Sequence, residues 1–501
     1  MLSVMGLLRL GLKPPFRRDL AALPALRAWL AVATLVLLVL GAWMLLRFPA
    51  LVQLSAVAAL IVMALLWWRA RPSYGRSRGW PPGSLGIGAS LDAVDNRDYY
   101  REQAARHGPI FKMSQFGRPV LCVVGLSRGR QLLQDHKAAL AGASLPYNRF
   151  VRNGMLRYMT REFHQVEGPL FRRAFSNVAL GANEQSVRDA CQRALASLGH
   201  PPLAEAGHDI RPLVRVWTIE SLATAFFGFR PDDPRVRVLN QAIAAMNIDR
   251  SGGSAWRMAM QTAISSATDV MKEGGRELLA RGDATSVLGV MVAEAPDSVE
   301  NEGRLQNLFF MYRLAVGDLA GALTWVAWQL STHTEWQARV AAAGRTDGSP
   351  RGAQPSDLAT RVVLETLRLE QSEFLYRRVV KPIDFEGFHI PAGWILRICI
   401  QESHRDAETF ADPATFNPDR FLGQAYAKSE YATFGLDEHA CIGASMVLFF
   451  GRILAEEMCA AYIVRTTTES PFERGTRHRH HWRPGREWRV ALEPRTTGTP
   501  A

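Results

Sequence analysis

The apolar positions of this chain fall into two contrasting regimes. Near the amino terminus they run unbroken. Ala28 to Leu46 contains no charge, and neither does Ala50 to Trp68, with Arg47-Phe48-Pro49 between them. Each run has about the length a helix needs to cross ~30 Å of hydrocarbon. Trp43, Trp67 and Trp68 stand near the ends of the runs, where indoles favour the membrane interface. A second apolar run directly after the first argues against a cleaved signal peptide. Arg9, Lys13, Arg17, Arg18 and Arg27 precede the pair, Arg69, Arg71, Arg76 and Arg78 follow it, and the turn holds only Arg47. The positive-inside rule then predicts a transmembrane hairpin, a multi-pass anchor with both the amino terminus and the large domain on the cytoplasmic side.

Beyond the proline turn at 78–84 the apolar positions become periodic. Gly108 to Val124 predicts two short strands around Gly117-Arg118-Pro119. From Asn301 to Ala343 the pattern is helical, with apolar residues spread around the circumference, as in a helix buried in an interior. Lys381 to Ile400 returns to strand, interrupted by Gly387 and by Pro391-Ala392-Gly393, and Met446 to Tyr462 is again helical. No linker or internal repeat divides this part. The expected organisation is a basic segment at 1–27, two transmembrane helices at 28–68, a basic Pro/Gly hinge at 69–89, one domain at 90–494 and a tail at 495–501. The expected fold class is mainly α with a minor β part (α+β).

Composition narrows the function. Of 501 residues, 59 are Lys or Arg and 47 are Asp or Glu, an excess that suits anionic lipid or an acidic protein partner. Basic stripes with interleaved aromatics and zinc-finger spacings are absent from the sequence, so no nucleic-acid partner is expected. The five cysteines, at 122, 191, 399, 441 and 459, are odd in number and lack CxxC spacing, which disfavours a disulfide framework.

One cysteine stands in a chemical setting. Phe434-Gly-Leu-Asp-Glu-His-Ala-Cys-Ile-Gly443 runs straight into a helical pattern. A cysteine at a helix start meets unsatisfied N–H groups and the positive dipole end, both of which favour thiolate. Gly435 and Gly443 let backbone approach a flat ligand. The segment resembles the haem-binding loop of the cytochrome P450 family, Phe-Gly-x-Gly-x-(Arg/His)-x-Cys-x-Gly. Phe434, Gly435, His439, Cys441 and Gly443 match in register, while Asp437 replaces the second glycine. The resemblance implies haem b held by the Cys441 thiolate, whose electron donation favours O–O cleavage, with His439 near a propionate.

Three further segments extend the resemblance. Glu365-Thr-Leu-Arg368 places opposite charges on one helix face, and Phe416-Asn-Pro-Asp-Arg-Phe421 lies thirteen residues before the loop. In the resembling family the corresponding residues form a buried ionic triad, here Glu365, Arg368 and Arg420. Arg378, just before a strand turn, matches the arginine that grips a haem propionate. His164 matches the propionate-facing residue of an earlier helix, although Gly168 stands where a basic residue is common.

The long helix departs from the pattern. The resemblance implies an (Ala/Gly)-Gly-x-(Asp/Glu)-Thr element whose acid and alcohol relay protons during dioxygen cleavage. Set on Gly317 and Asp318, this element lacks the hydroxyl, and Thr324 is about two turns further on. Asp318 with an ordered water is then the candidate proton donor. Arg313 and the run His478 to His481 read as a structural ion pair and a solvated loop. The implied activity is monooxygenation of an apolar small molecule with electrons from a separate ferredoxin or reductase. The missing alcohol keeps peroxide-driven or otherwise atypical haem-thiolate chemistry as an alternative, beside a haem-binding protein without turnover.

Overall fold

The computed structural model describes residues 79–85, 92–93, 96–115, 118–142, 148–159, 161–175, 181–197, 207–246, 254–344, 357–371, 373–436, 440–474 and 482–495, with isolated positions between 39 and 62. The apolar runs 28–46 and 50–68 therefore lie largely outside the described residues. Val39, Trp43, Leu54, Val57, Ile61 and Val62 within them are helical, and each is more than half exposed. Among the described residues no helix is long and apolar enough to cross a membrane.

The helices are α1 Tyr99–His107, α2 Leu126–Asp135, α3 Arg161–Ala174, α4 Glu184–Ala196, α5 Arg211–Phe227, α6 Pro234–Met246, α7 Ser254–Arg281, α8 Val287–Glu294, α9 Glu302–Thr332, α10 Thr334–Ala343, α11 Leu358–Glu370, α12 Ile400–Ser403 and α13 Ala444–Ala461. The strands are β1 Gly83–Ser84, β2 Ile110–Gln115, β3 Arg118–Val124, β4 Leu140–Gly142, β5 Phe374–Val379, β6 Ile383–Phe385, β7 Phe388–Ile390, β8 Ile395–Cys399, β9 Tyr462–Thr468, β10 Glu473–Arg474, β11 Trp482–Arg483 and β12 Arg489–Pro494. The fold is mainly helical with some sheet.

Two compact units emerge. The smaller comprises 1–123, 138–141 and 377–397. Most of its structure is a six-stranded sheet in the order β1-β2-β3-β8-β5-β4. β2 and β3 pair antiparallel, Gln115 with Arg118 and Ile110 with Val123. Valine and leucine on β3 are buried on both faces, so the strand reads as a continuous apolar run.

The larger unit holds the remaining residues and is built around α9. Asn301 caps this helix by accepting from the Arg304 N–H, the side-chain device that satisfies an orphan donor of the first turn. α5, α7, α11 and α13 pack on it, which explains why its apolar residues surround the axis. Tyr312 meets Phe226 and Phe227 edge-on, with ring centroids 5.6 and 5.0 Å apart.

Candidate active site

Cys441 is exposed, whereas Cys122, Cys191, Cys399 and Cys459 are buried. Burial pushes the thiols of Cys191 and Cys459 up, the latter to about 12, so both stay protonated and inert. Cys441 closes its own loop: its N–H donates to the Phe434 carbonyl at 2.7 Å. Gly435 has φ +103°, a conformation that a side chain would strain. Gly443 is the N-cap of α13, and a Cβ there would meet only the Cys441 sulfur, at 3.9 Å. Phe434, Ile442, Val447 and Leu448 around this turn are half-buried apolar residues. An exposed cysteine on an apolar, glycine-relieved turn at a helix start fits a flat, largely apolar metal chelate. Asp437 and His439 lie outside the described residues.

Behind the loop, Glu365, Arg368 and Arg420 come together. Arg368 donates to both carboxylate oxygens of Glu365, at 2.7 and 2.9 Å, and Arg420 Nε donates to Oε1 at 2.9 Å. The backbone N–H of Asn417 adds a fourth bond at 2.9 Å. Arg368 spends its other N–H groups on the carbonyls of His404, Pro413 and Thr415. The side chains of Glu365 and Arg368 are fully buried, so every lone pair and proton needs such a partner.

Two residues missed by motif reading tie this cluster to the cysteine loop. The His404 ring is wholly buried and stacks on Tyr431, with centroids 5.1 Å apart. Its Nε2 accepts the Ala432 N–H at 3.0 Å, two residues before Phe434. Burial, reinforced by the Arg368 guanidinium, pulls its pKa down to about 3, so the imidazole stays neutral. Tyr431 in turn donates to the Leu364 carbonyl at 2.9 Å.

The 320–454 stretch, which contains the triad and Cys441, matches the Cytochrome P450 family model. Residues 320–454 are thus of cytochrome P450 type. It is similar to Abscisic acid 8'-hydroxylase 3 of Oryza sativa subsp. indica, 26% identical over 78% of this chain and 84% of that one. Putative cytochrome P450 135B1 of Mycobacterium tuberculosis is 27% identical over 39% of this chain and 41% of its own length. Among solved structures, "Retinoic acid bound cyanobacterial CYP120A1" matches with TM-score 0.66 and 19% identity, covering 83% of this chain and 100% of that one. That likeness concerns the fold. These matches make the chain a monooxygenase-type enzyme, and its cofactor is haem with a cysteine-thiolate axial ligand.

Two other residues of the resemblance lie on β5 and α3. Arg378 lies in the smaller unit on β5 and is exposed, while Arg377 beside it is buried. On α3, His164 is half-buried. A Cβ at Gly168 would meet the His164 ring at 3.4 Å and Arg172 Nη1 at 3.1 Å. The glycine thus leaves room for the Arg172 guanidinium to fold back towards His164, a basic group four residues later than the motif has it.

Helix α9 is densely packed except along one stretch. Leu314, Ala320 and Gly321 are half-buried and Gly317 is exposed, whereas residues 322–327 are all buried. Thr324 follows Gly317 and Gly321 at helical spacing on this face, 7% exposed, its hydroxyl donating to the Ala320 carbonyl at 2.7 Å. Ala320-Gly321-Ala322-Leu323-Thr324 also fits the proton-relay element, with buried Leu323 in the acid's position, and the family match begins at residue 320. The signal was Ala320-Gly321 with a threonine three residues on. A register set on the acid rather than the alcohol passes over it. Asp318 is half-buried one turn before Ala322, and its backbone carbonyl accepts from Gln371.

Proposed function

We propose that this P450 hydroxylates an apolar small molecule, with Cys441 as the iron ligand and the open face of α9 as one wall of the reaction chamber. The observation that carries this reading is the exposed Cys441 sulfur on its self-closed turn at the start of α13, braced from behind by the Glu365 cluster. Bound haem supplies the activation of dioxygen, one atom entering a substrate C–H bond and the other leaving as water, for two electrons and two protons. The chain's residues hold and surround that chemistry. The dipole of α13 favours the thiolate form of Cys441. Arg378, His164 with Arg172, and His439 are the basic groups assigned to the propionates. Gly317 and Gly321 keep the α9 face clear of side chains.

Thr324 is the assigned alcohol. With its proton on the Ala320 carbonyl, its oxygen lone pairs remain available to an incoming water. The buried Leu323 carries no acid, so Asp318, on the adjoining turn, is the nearest carboxyl on the helix. This register removes the reason for preferring peroxide-driven chemistry, which rested on a missing hydroxyl. Hydroxylation is favoured by the similarity to the abscisic acid 8'-hydroxylases over more than three quarters of the chain. Electrons come from a separate ferredoxin or reductase. The helical, exposed apolar residues between Val39 and Val62, with the flanking arginines, support a membrane hairpin that holds the domain on the cytoplasmic side.

The test is spectroscopic and kinetic. Reduced protein under carbon monoxide is expected to give the red-shifted band of a thiolate-ligated haem, and Cys441→Ser to abolish it. Persistence of that band in the variant refutes the ligand. Thr324→Val is expected to keep the band and turn over dioxygen with product formation uncoupled from electron use. Unchanged coupling returns the relay to Asp318 alone.

A further inference from the structure

The end of α11 reaches the open face of α9 through one side chain, Gln371. Its backbone N–H donates to the Leu367 carbonyl at 3.0 Å, so it is the last residue held by the helix that the Glu365 cluster anchors. Its Nε2 donates to the Asp318 carbonyl at 3.3 Å. A carbonyl accepts only, which fixes the amide's orientation: nitrogen on the Asp318 carbonyl, Oε1 on the amide's other side. A Cβ at Gly321 would stand 3.8 Å from that Oε1. The oxygen therefore lies against the glycine-bared surface, one helical turn from Thr324.

We infer that Gln371 is a specificity residue of the α9 groove, its Oε1 a fixed acceptor for one O–H donor, either a hydroxyl on an otherwise apolar substrate or an ordered water. The inference rests on reading the α9 face as the chamber wall. An acceptor oriented in advance by a bond to the helix loses little entropy on binding, so a single hydrogen bond there discriminates. In an apolar groove, a hydroxyl-bearing ligand is favoured over its hydrocarbon by up to about tenfold for one neutral hydrogen bond. No titration accompanies this, because a carboxamide does not ionise. Gln371→Glu places a carboxylate against the Asp318 carbonyl, which repels it, and brings charge to the groove. Gln371→Leu keeps the bulk and removes the acceptor.

The experiment uses the full chain reconstituted with haem and reads the infrared C–O stretch of its reduced carbon monoxide adduct. The reduced-protein absorption band is checked first in every variant. Its absence from the wild type overturns the haem-thiolate reading itself, whatever Gln371 does. With the band present, a C–O stretch that shifts in Gln371→Glu supports the inference, and the same stretch in wild type, Gln371→Glu and Gln371→Leu overturns it. The donor is identified in the wild type. A stretch that moves in heavy water, and does not in Gln371→Leu, assigns water. A stretch that moves with dodecanol but not dodecane, together with a preference for dodecanol that Gln371→Leu loses, assigns a substrate hydroxyl. Sensitivity to neither overturns the acceptor role.

Discussion

Acidification should loosen the fold that carries the cysteine loop, through His404. The imidazole is wholly buried and neutral, with Nε2 accepting from Ala432 N–H. Protonation would set a donor against that donor, beside the Arg368 guanidinium whose N–H already bonds the His404 carbonyl. The folded pKa is about 3, against 6.5 for an unperturbed histidine. Between these values the unfolded chain binds more protons than the folded one. The stabilisation is therefore complete above the unfolded pKa and lost as pH falls below it. From neutrality to about pH 5, a single group with these constants removes about 2 kcal/mol of unfolding free energy, reaching about 4 kcal/mol near its folded pKa. His107, partly desolvated, also has a lowered pKa and pulls in the same direction, so the total slope does not isolate His404. Urea unfolding of wild type and His404→Gln at both pH values does. The glutamine can offer Oε1 to Ala432 without titrating. Its loss on acidification should be smaller than that of the wild type by about 2 kcal/mol, the difference owed to the missing imidazole. Equal losses in the two proteins refute the argument. So does a His404 ring resonance that titrates near 6.5 in the folded wild type.

Two further perturbations test the buried charges. Glu365→Gln leaves Arg368 and Arg420 buried against a neutral amide and should destabilise by about 3–5 kcal/mol in urea unfolding; a cost within ~1 kcal/mol would deny the cluster its bracing role. Arg188 bonds Glu184, Glu456 and Glu457 together, with Arg452 on Glu184 and Glu456. Arg188→Met leaves three buried carboxylates facing one another and should cost about as much in urea unfolding at neutral pH; a cost within ~1 kcal/mol would deny the network its role.

What the sequence displayed depended on how locally each feature is encoded. The β2–β3 hairpin, α9 and α13 were legible because apolar period and turn residues lie within single segments. The break between α9 and α10 at His333 was not, because apolar residues continue on both sides of it. Glu365 and Arg368 share a helix turn, and Arg420 sits in its own short motif, so their meeting could be expected from a resemblance. His404 and Gln371 had no such marker. Their partners Ala432 and Asp318 are 28 and 53 residues away, joined by backbone groups that every residue possesses. The Arg188 network is still more remote, with α4 and α13 separated by 268 positions between Arg188 and Glu456.

The placement of these silent residues has a common logic. A thiolate on a surface turn holds a metal well only if the turn cannot relax around it. The Cys441 turn is short of regular structure, yet its entry is fastened twice: Ala432 to the neutral His404 ring, and Tyr431 to the Leu364 carbonyl beside Glu365. Its exit is α13, whose far turns are locked to α4 by Arg188 and Arg452. The charges lie away from the sulfur, in clusters where carboxylate and guanidinium largely satisfy each other, and the residue that contacts the loop backbone is the uncharged one. An ionised histidine at 404 would add a third cation next to Arg368. Neutrality there is therefore a condition for the turn's rigidity, and acidification should weaken the seat of Cys441.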